Sequence, residues 1–310
     1  MAEVSNETRF LHAIELGLGA WQWGDRVFWA YGQQYTDKEI REAFDISLNL
    51  GIRFVDTAEI YGSGYSERLL GRFMKEIDQP VLVAGKFFPW LWKITKGFIP
   101  RALKGSLDRL GVESLDLYQI HWPSMTLSPE TMMEGMAECV KRGMTRTVGV
   151  SNFDEKQMIR AYTTLARHGI PLASNQVHYS LLTRDVERNG TLARCKALGI
   201  RLIAYSPLEK GLLTGKYSTA NPPPGLRGSQ YADLLKKIPP VLKLLQEIGQ
   251  NHNGKTPAQV SLNWLICKGA LPIPGAKNSR QAEENAGGAG WRLTDEEVAR
   301  LDTATGNIHR

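Results

Sequence analysis

The sequence predicts one (β/α)8 barrel domain over residues 1–310, with a long loop after the seventh strand. Eight short apolar segments have strand character, most are followed by an amphipathic helical segment, and no Pro- or Gly-rich linker divides the chain. The strand segments are apolar almost throughout, as parallel strands buried on both faces should be. Eight such units fit a barrel. A doubly wound sheet is the structural alternative, but the first strand lacks a GxGxxG turn.

The predicted strands are short apolar segments bounded by helices and turn residues. They cover residues 16–18, 53–58, 80–87, 115–121, 147–151, 172–177, 200–205 and 271–275. The run Val81-Leu82-Val83-Ala84 is typical of them.

The predicted helices carry their apolar residues on one face. The first is capped by Thr36 or Asp37 and ends at Gly51. The predicted helices cover residues 36–50, 66–75, 100–110, 129–142, 155–167, 192–198 and 256–267.

The stretch 209–230 interrupts this pattern and contains Pro222-Pro223-Pro224-Gly225. In a barrel it follows the seventh strand, on the face that carries catalytic groups. Long loops at that position are usually functional or mobile, so a functional loop is expected, with an idle insertion as the alternative.

Composition excludes several classes of protein. The net charge of +6 comes from 38 basic and 32 acidic residues spread along the chain, unlike the basic stripe of a nucleic-acid binder. No apolar run is long enough to span a membrane, and the first residues do not form a secretory signal, so a cytoplasmic location is expected. Cys139, Cys195 and Cys267 are expected to be reduced thiols, and no metal site is predicted.

Four ionisable residues lie where three successive predicted strands end. Asp56 ends the second strand and Tyr61 follows it, Lys86 ends the third strand, and His121 ends the fourth. Alone, each has a structural explanation, such as a helix cap, a rim aromatic, a solvated cation or a rim histidine. At equivalent positions of neighbouring strands, they point to one catalytic group.

Such a group can transfer a proton to a carbonyl oxygen. A tyrosine is a poor acid at neutral pH, but an adjacent Lys86 ammonium would stabilise the phenolate of Tyr61 and lower its pKa. Asp56 would orient the lysine, and His121 would donate to the same carbonyl oxygen. The electrons must come from outside the protein, and a nicotinamide hydride is the simplest source. A Schiff-base role for Lys86 is a remote alternative.

The segments 51–62 (GIRFVDTAEIYG), 115–122 (LDLYQIHW) and 148–153 (VGVSNF) strongly resemble the aldo-keto reductase superfamily. The resemblance runs through nearly the whole chain. It implies a barrel, dependence on NAD(P)(H) and carbonyl reduction. It maps the family's catalytic residues onto Asp56, Tyr61, Lys86 and His121. Gly275-Ala276 replaces the Lys-Ser pair of the better-known single-chain reductases, which places the chain nearer the group that includes potassium-channel β subunits.

The resemblance also implies a set of cofactor-binding residues. Ser151, Asn152 and Gln176 match the residues that bind the nicotinamide carboxamide, and Tyr205 matches the aromatic that stacks on its ring. The phosphate-side segment follows Tyr205 and contributes Ser206, Leu208, Gly211 and Lys216; it resembles a P-loop but is one residue short and lacks the following Ser or Thr. The adenosine site is matched by Gly275, Lys277, Arg280, Gln281, Glu284 and Asn285, with Lys277 and Arg280 expected at the 2′-phosphate.

Tryptophans are expected to wall the substrate pocket, because six of them follow strands at one rim. These are Trp21, Trp23, Trp29, Trp90, Trp92 and Trp122. They suggest an apolar or aromatic aldehyde, although indoles also stack on sugar faces.

Two classes of function remain open on the sequence. The first is an NADPH-dependent carbonyl reductase acting on a small molecule. The second is a cofactor-sensing regulatory subunit with weak reductase activity. No partner protein and no oligomeric state are predicted.

Overall fold

The structure is a computed structural model that describes residues 5–306 and residue 308. Eight parallel strands form one sheet in sequence order. They are β1 (Leu18–Gly19), β2 (Phe54–Asp56), β3 (Leu82–Phe87), β4 (Leu115–Ile120), β5 (Thr145–Ser151), β6 (Leu172–His178), β7 (Arg201–Tyr205) and β8 (Leu271–Pro272).

Backbone hydrogen bonds join the two edges of this sheet. The Gly17 N–H donates to the Pro272 oxygen and the Gly19 N–H to the Pro274 oxygen, both at 3.0 Å. Gly19 also forms a parallel bridge with Gly275. The sheet is therefore curled on itself, as in a (β/α)8 barrel.

Helices alternate with the strands. They are α1 (Arg9–Ala13), α2 (Asp37–Asn49), α3 (Tyr65–Lys75), α4 (Phe98–Leu110), α5 (Pro129–Lys141), α6 (Glu155–Ala166), α7 (Asp185–Arg188), α8 (Thr191–Leu198), α9 (Leu226–Gln230), α10 (Ala232–Lys237), α11 (Pro239–Asn251), α12 (Pro257–Cys267), α13 (Ser279–Ala286) and α14 (Asp295–Thr305). Capping boxes at Thr36, Asp154 and Thr256 define where α2, α6 and α12 begin.

A separate apolar cluster fills the barrel interior. It contains Phe54, Leu117, Ile203 and Leu271 from four strands, together with Leu11 of α1. The sequence interpretation did not include α1. His12 Nε2 bonds to the Gly199 oxygen at 3.2 Å, and Arg201 at the start of β7 donates to the Ile14 oxygen at 2.8 Å. This helix therefore covers the N-terminal end of the barrel. The C-terminal ends of the strands are left to form a site.

The segment after β7 is more ordered than a single long loop. Short 3-10 turns cover Glu209–Thr214, interrupted by the left-handed residues Lys210 and Gly211, and α9 begins at Leu226. Only residues 215–225 of the expected irregular stretch lie outside helices. The prolines and glycines therefore predict the irregular centre of this stretch. They do not predict that residues 209–214 and 226–230, at its two ends, have helical turns.

None of the helices in the described part of the chain is both long and apolar enough to span a membrane. The same residues contain no group of three or more His, Cys, Asp or Glu side chains that could hold a metal ion.

Candidate active site

The structure brings the four expected catalytic residues to one edge of the barrel. Asp56 is the last residue of β2, Lys86 lies near the end of β3, and His121 directly follows β4. Tyr61 begins a 3-10 helix after β2. Because neighbouring strands are parallel, their C-terminal ends meet at the same face.

The Lys86 ammonium is the centre of the group. Its side chain is fully buried. It donates to Asp56 Oδ1 in a short ion pair, to the Thr57 carbonyl oxygen at 3.0 Å, and to the Tyr61 hydroxyl at 3.2 Å. All three donor positions of the ammonium are thus used, and one of them connects it directly to the phenol.

The second carboxylate oxygen of Asp56 is held by amides. Gln176 Nε2 donates to Oδ2 at 2.8 Å and Gln119 Nε2 donates to it at 3.3 Å. Ser174 Oγ donates to the Gln119 side-chain oxygen Oε1 at 3.3 Å. The carboxylate that anchors Lys86 is therefore fixed from β4 and β6, and the sequence interpretation did not include Gln119 or Ser174.

Burial decides the protonation states at this site. It raises the pKa of the Tyr61 phenol, and the opposing Lys86 charge does not cancel this effect. The Lys86 charge acts to lower this pKa, as the sequence predicts, but desolvation outweighs it, so the net shift is upward. For Lys86, burial acts to lower the pKa, but Asp56 and Tyr61 hold it above its usual value. Burial, and then the Lys86 charge, hold the pKa of His121 well below its usual range.

The loop that presents Tyr61 depends on a glycine. Gly62 has φ of 53°, and a Cβ there would lie 2.9 Å from the backbone oxygen of Gly24. Only glycine combines this left-handed conformation with such a close approach. The loops after β1 and β2 therefore pack directly together beside Tyr61.

A cavity of about 780 Å³ opens at this face. Asp56, Tyr61 and His121 line it, whereas Lys86 lies behind them in the wall. Every residue expected at the cofactor site lines it too: Ser151, Asn152, Gln176, Tyr205, Ser206, Leu208, Gly211, Lys216, Gly275, Lys277, Arg280, Gln281, Glu284 and Asn285.

Polar side chains between β4 and β7 are joined in a chain of hydrogen bonds. Asn152, at φ of 61°, donates through Nδ2 to the His121 carbonyl oxygen at 3.1 Å and to Ser151 Oγ at 3.0 Å. The Tyr205 hydroxyl donates to Asn152 Oδ1 at 3.0 Å. Ser151 Oγ donates to the Gln176 carbonyl oxygen at 2.8 Å. These contacts hold amide and hydroxyl groups at the cavity wall.

Basic side chains cluster at another part of the cavity. Lys277 lies between two rings, with its ammonium 4.7 Å from the Trp29 ring centre and 4.6 Å from that of Tyr35. Burial, then the Arg227 and Lys216 charges, lower the pKa of Lys277 to about 8. The sequence interpretation missed Arg227, and its position just after the proline-rich segment was the available signal.

The start of α13 forms the wall beside these cations. Asn278 caps the helix, and Gln281 Oε1 accepts the backbone N–H of Lys277 at 3.0 Å. Asn285 Nδ2 donates to the Gly275 oxygen at 3.2 Å. The segment that resembles an adenosine site thus has several of its side chains engaged with its own backbone.

The tryptophans separate into three groups. Trp21, Trp29 and Trp122 line the cavity, and the Trp29 ring also contacts the Lys277 ammonium. Trp90 and Trp92 are exposed and stack on each other at 5.1 Å, outside the cavity lining. Trp23 requires a correction. It is fully buried against two core phenylalanines, Phe44 and Phe73, and does not reach the cavity.

A parallel barrel with an Asp–Lys–Tyr group and a histidine at its strand ends is the arrangement that the resemblance in the sequence predicts. The Aldo/keto reductase family model matches residues 15–305. This protein belongs to the aldo/keto reductase family.

Similar proteins support this assignment. The chain is 40% identical over 307 residues to a chloroplastic pyridoxal reductase from Arabidopsis thaliana, covering 95% of this chain and 84% of that protein. A thermostable aldo-keto reductase, Tm1743, solved with the inhibitor epalrestat, has 32% identity and a TM-score of 0.75, with 94% of each chain covered. An aldo-keto reductase from Klebsiella pneumoniae in complex with NADPH has 26% identity and a TM-score of 0.73, covering 96% of this chain and 92% of that one.

Proposed function

We propose that this protein reduces aldehydes or ketones to alcohols with NADPH, using Tyr61 as the proton donor. The observation that carries the proposal is the hydrogen bond of 3.2 Å from a fully buried Lys86 to the Tyr61 hydroxyl, at the wall of a large cavity. The relatives are named as reductases, which does not favour the alternative of a cofactor-sensing regulatory subunit.

The residues around the cavity fit NADPH, which supplies a hydride when it is bound. Lys216, Arg227 and Lys277 line one region, and their mutual repulsion contributes to the lowered pKa of Lys277. A phosphate group would relieve this repulsion, because it brings opposite charge. The complex of the Klebsiella relative with NADPH supports the same cofactor here. Ser151, Asn152 and Gln176 offer the donors and acceptors that a carboxamide requires.

In this proposal Tyr61 holds its proton until a carbonyl oxygen accepts it. Burial keeps the phenol protonated in the resting protein. As charge develops on the substrate oxygen, the proton moves from the Tyr61 hydroxyl, and the Lys86 ammonium stabilises the phenolate that remains. Asp56 holds Lys86 in place. His121, kept neutral by burial, donates a hydrogen bond to the same oxygen.

The proposed substrates are apolar or aromatic aldehydes. Trp21, Ile60 and Trp122 supply apolar surface to the cavity near the catalytic group. Pyridoxal, a planar aromatic aldehyde, is the first candidate, because it is in the name of the Arabidopsis relative. We also propose that the chain folds as one domain and that it acts in the cytoplasm. We further propose that residues 215–225 form part of the cofactor site.

The test is turnover with purified protein. 4-Nitrobenzaldehyde and pyridoxal are each offered with NADPH and, in parallel, with NADH, and the loss of absorbance of the reduced cofactor is followed. We expect reduction of both aldehydes and a preference for NADPH. The proposal is overturned if NADPH binds but neither these two aldehydes nor a wider panel of carbonyl compounds is reduced.

A further inference from the structure

A buried carboxylate lies beside the cavity but outside the proton-transfer group. Glu209 follows Tyr205 by four residues and is fully buried. Its Oε2 accepts hydrogen bonds from His178 Nε2, Ser180 Oγ and Thr183 Oγ1, each at 3.0 Å. His178 ends β6 and the two hydroxyl donors follow it along the chain. The carboxylate therefore ties the segment after β7 to the end of β6.

The backbone around Glu209 has an unfavourable conformation. Ser206, Glu209 and Lys210 have φ of 50°, 46° and 52°, and Gly211 follows at 96°. Residues with a side chain disfavour this left-handed region, so tertiary contacts must hold the segment in place. The buried carboxylate of Glu209 provides such a contact. Ser206, Lys210 and Gly211 all line the cavity, so the position of this strained segment shapes the cavity wall.

His178 connects the carboxylate to an aromatic ring at the same wall. Its imidazole stacks on Tyr205, with ring centres 5.3 Å apart and planes 14° from parallel. The Tyr205 hydroxyl is held at its other end by Asn152, at 3.0 Å. Both His178 and Tyr205 line the cavity. Glu209 thus orients the imidazole, and the imidazole in turn orients the Tyr205 ring.

We propose that Glu209 and His178 are positioning residues of the cofactor site. Glu209 keeps residues 206–211 in their strained conformation against the cofactor phosphates. His178 holds the Tyr205 ring at the angle at which it stacks on the nicotinamide. This inference rests on the proposed function, since it needs NADPH in the cavity. Neither residue belongs to the Asp56–Lys86–Tyr61 group, so both act through their neighbours.

Two substitutions of His178 separate the hydrogen bond from the ring. His178→Phe keeps an aromatic face for Tyr205 but removes the donor to Glu209. We expect the Kd for NADPH to rise about tenfold, because a buried charged acceptor loses one of its partners and the phosphate-side segment loosens. The single-turnover rate of the saturated complex with 4-nitrobenzaldehyde is expected to fall less, by at most about threefold.

His178→Gln keeps an N–H donor near the position of Nε2 but removes the ring. We expect the opposite result: a Kd within about threefold of that of the unmodified protein, and a single-turnover rate about tenfold lower, because Tyr205 no longer orients the nicotinamide. Glu209→Gln provides a second arm with an isosteric side chain. It weakens the charge-assisted hydrogen bonds and is expected to raise the Kd for NADPH by about fivefold.

The chain offers a matched control in a second histidine–carboxylate pair. His252 Nε2 bonds to Glu297 at 2.8 Å and its ring lies 4.7 Å from Trp291, away from the cavity lining. His252→Phe is expected to leave both the Kd and the single-turnover rate unchanged. A melting curve for each variant measures any general loss of stability.

The outcomes distinguish failure of the proposed function from failure of the positioning role of Glu209 and His178. If the unmodified protein neither binds NADPH nor reduces the aldehyde, the proposed function fails and the positioning pair fails with it. If the unmodified protein is active and both His178 variants match it, only the positioning pair is overturned. The same holds if both variants change the Kd and the rate in equal proportion, which indicates a merely structural role.

Discussion

We expect Lys277 to make the affinity for NADPH depend on pH. Its ammonium is half-buried between Trp29 and Tyr35, and its pKa is lowered to about 8 by burial and by the Arg227 and Lys216 charges. A bound phosphate would oppose both effects, so the pKa of Lys277 should return toward its usual 10.5 in the complex. At pH values where Lys277 of the free protein is deprotonated, NADPH binding is then accompanied by uptake of a proton on Lys277.

The magnitude follows from these two pKa values. About nine tenths of the free protein carries the Lys277 proton at pH 7, and about one tenth carries it at pH 9. In the complex the lysine stays almost fully protonated at both pH values. The Kd for NADPH should therefore rise about tenfold from pH 7 to pH 9, equivalent to about 1.4 kcal/mol.

Tryptophan fluorescence titrations at several pH values measure this change. NADH serves as the matched ligand, because it lacks the 2′-phosphate. Besides Arg227 and Lys216, the Asp25 charge acts on Lys277, and the facing Tyr35 phenol stays protonated because burial raises its pKa. Lys277→Met should weaken NADPH binding about tenfold at pH 7 and abolish the pH dependence. The reasoning is refuted if this variant keeps the pH dependence, or if NADH weakens as steeply as NADPH.

Four further substitutions are expected to have distinct effects. Lys86→Met should remove most turnover across the pH range, whereas Asp56→Asn should be milder since the ammonium remains; steady-state rates from pH 6 to pH 9 compare them. Trp122→Ala should raise the KM for 4-nitrobenzaldehyde several-fold, on the order of 1 kcal/mol of lost contact, with little change in the Kd for NADPH measured by titration. Gly71→Ala places a Cβ 2.4 Å from the Leu110 carbonyl oxygen and should cost ~1–3 kcal/mol in thermal unfolding, with no change in cofactor affinity.

Local sequence patterns predict the barrel and the clustering of the four ionisable residues at its strand ends. Apolar runs and caps give the eight strands and seven of the helices within a few residues, but they do not give α11, α13 or α14. Parallel strand ends then place Asp56, Lys86 and His121 at one face. The error at β1 shows the limit of such patterns: the apolar run covers residues 16–18, but pairing with Val55 and Asp56 makes the strand Leu18–Gly19. Strand bounds are set by the partner strand, which no local pattern contains.

Side chains in turns and between distant loops are the parts that the sequence does not predict. Trp21 and Trp23 follow the same strand, yet Trp21 lines the cavity and Trp23 enters the core, because the turn between them has no strand periodicity. Arg227 acts on Lys277 from 50 residues away along the chain, and only the folded structure shows this contact. The pKa of Tyr61 is a similar case, because burial is a property of the whole fold.

A single-turnover experiment with Tyr61→Phe measures whether Tyr61 delivers the proton to the carbonyl oxygen. The substitution removes one hydroxyl and keeps the ring against His121, 5.6 Å away. With the preformed NADPH complex mixed with 4-nitrobenzaldehyde, the rate of cofactor oxidation should fall at least about a hundredfold, while the Kd for NADPH stays within about twofold. A variant that oxidises NADPH at nearly the unmodified rate would contradict the assignment of Tyr61 as the general acid.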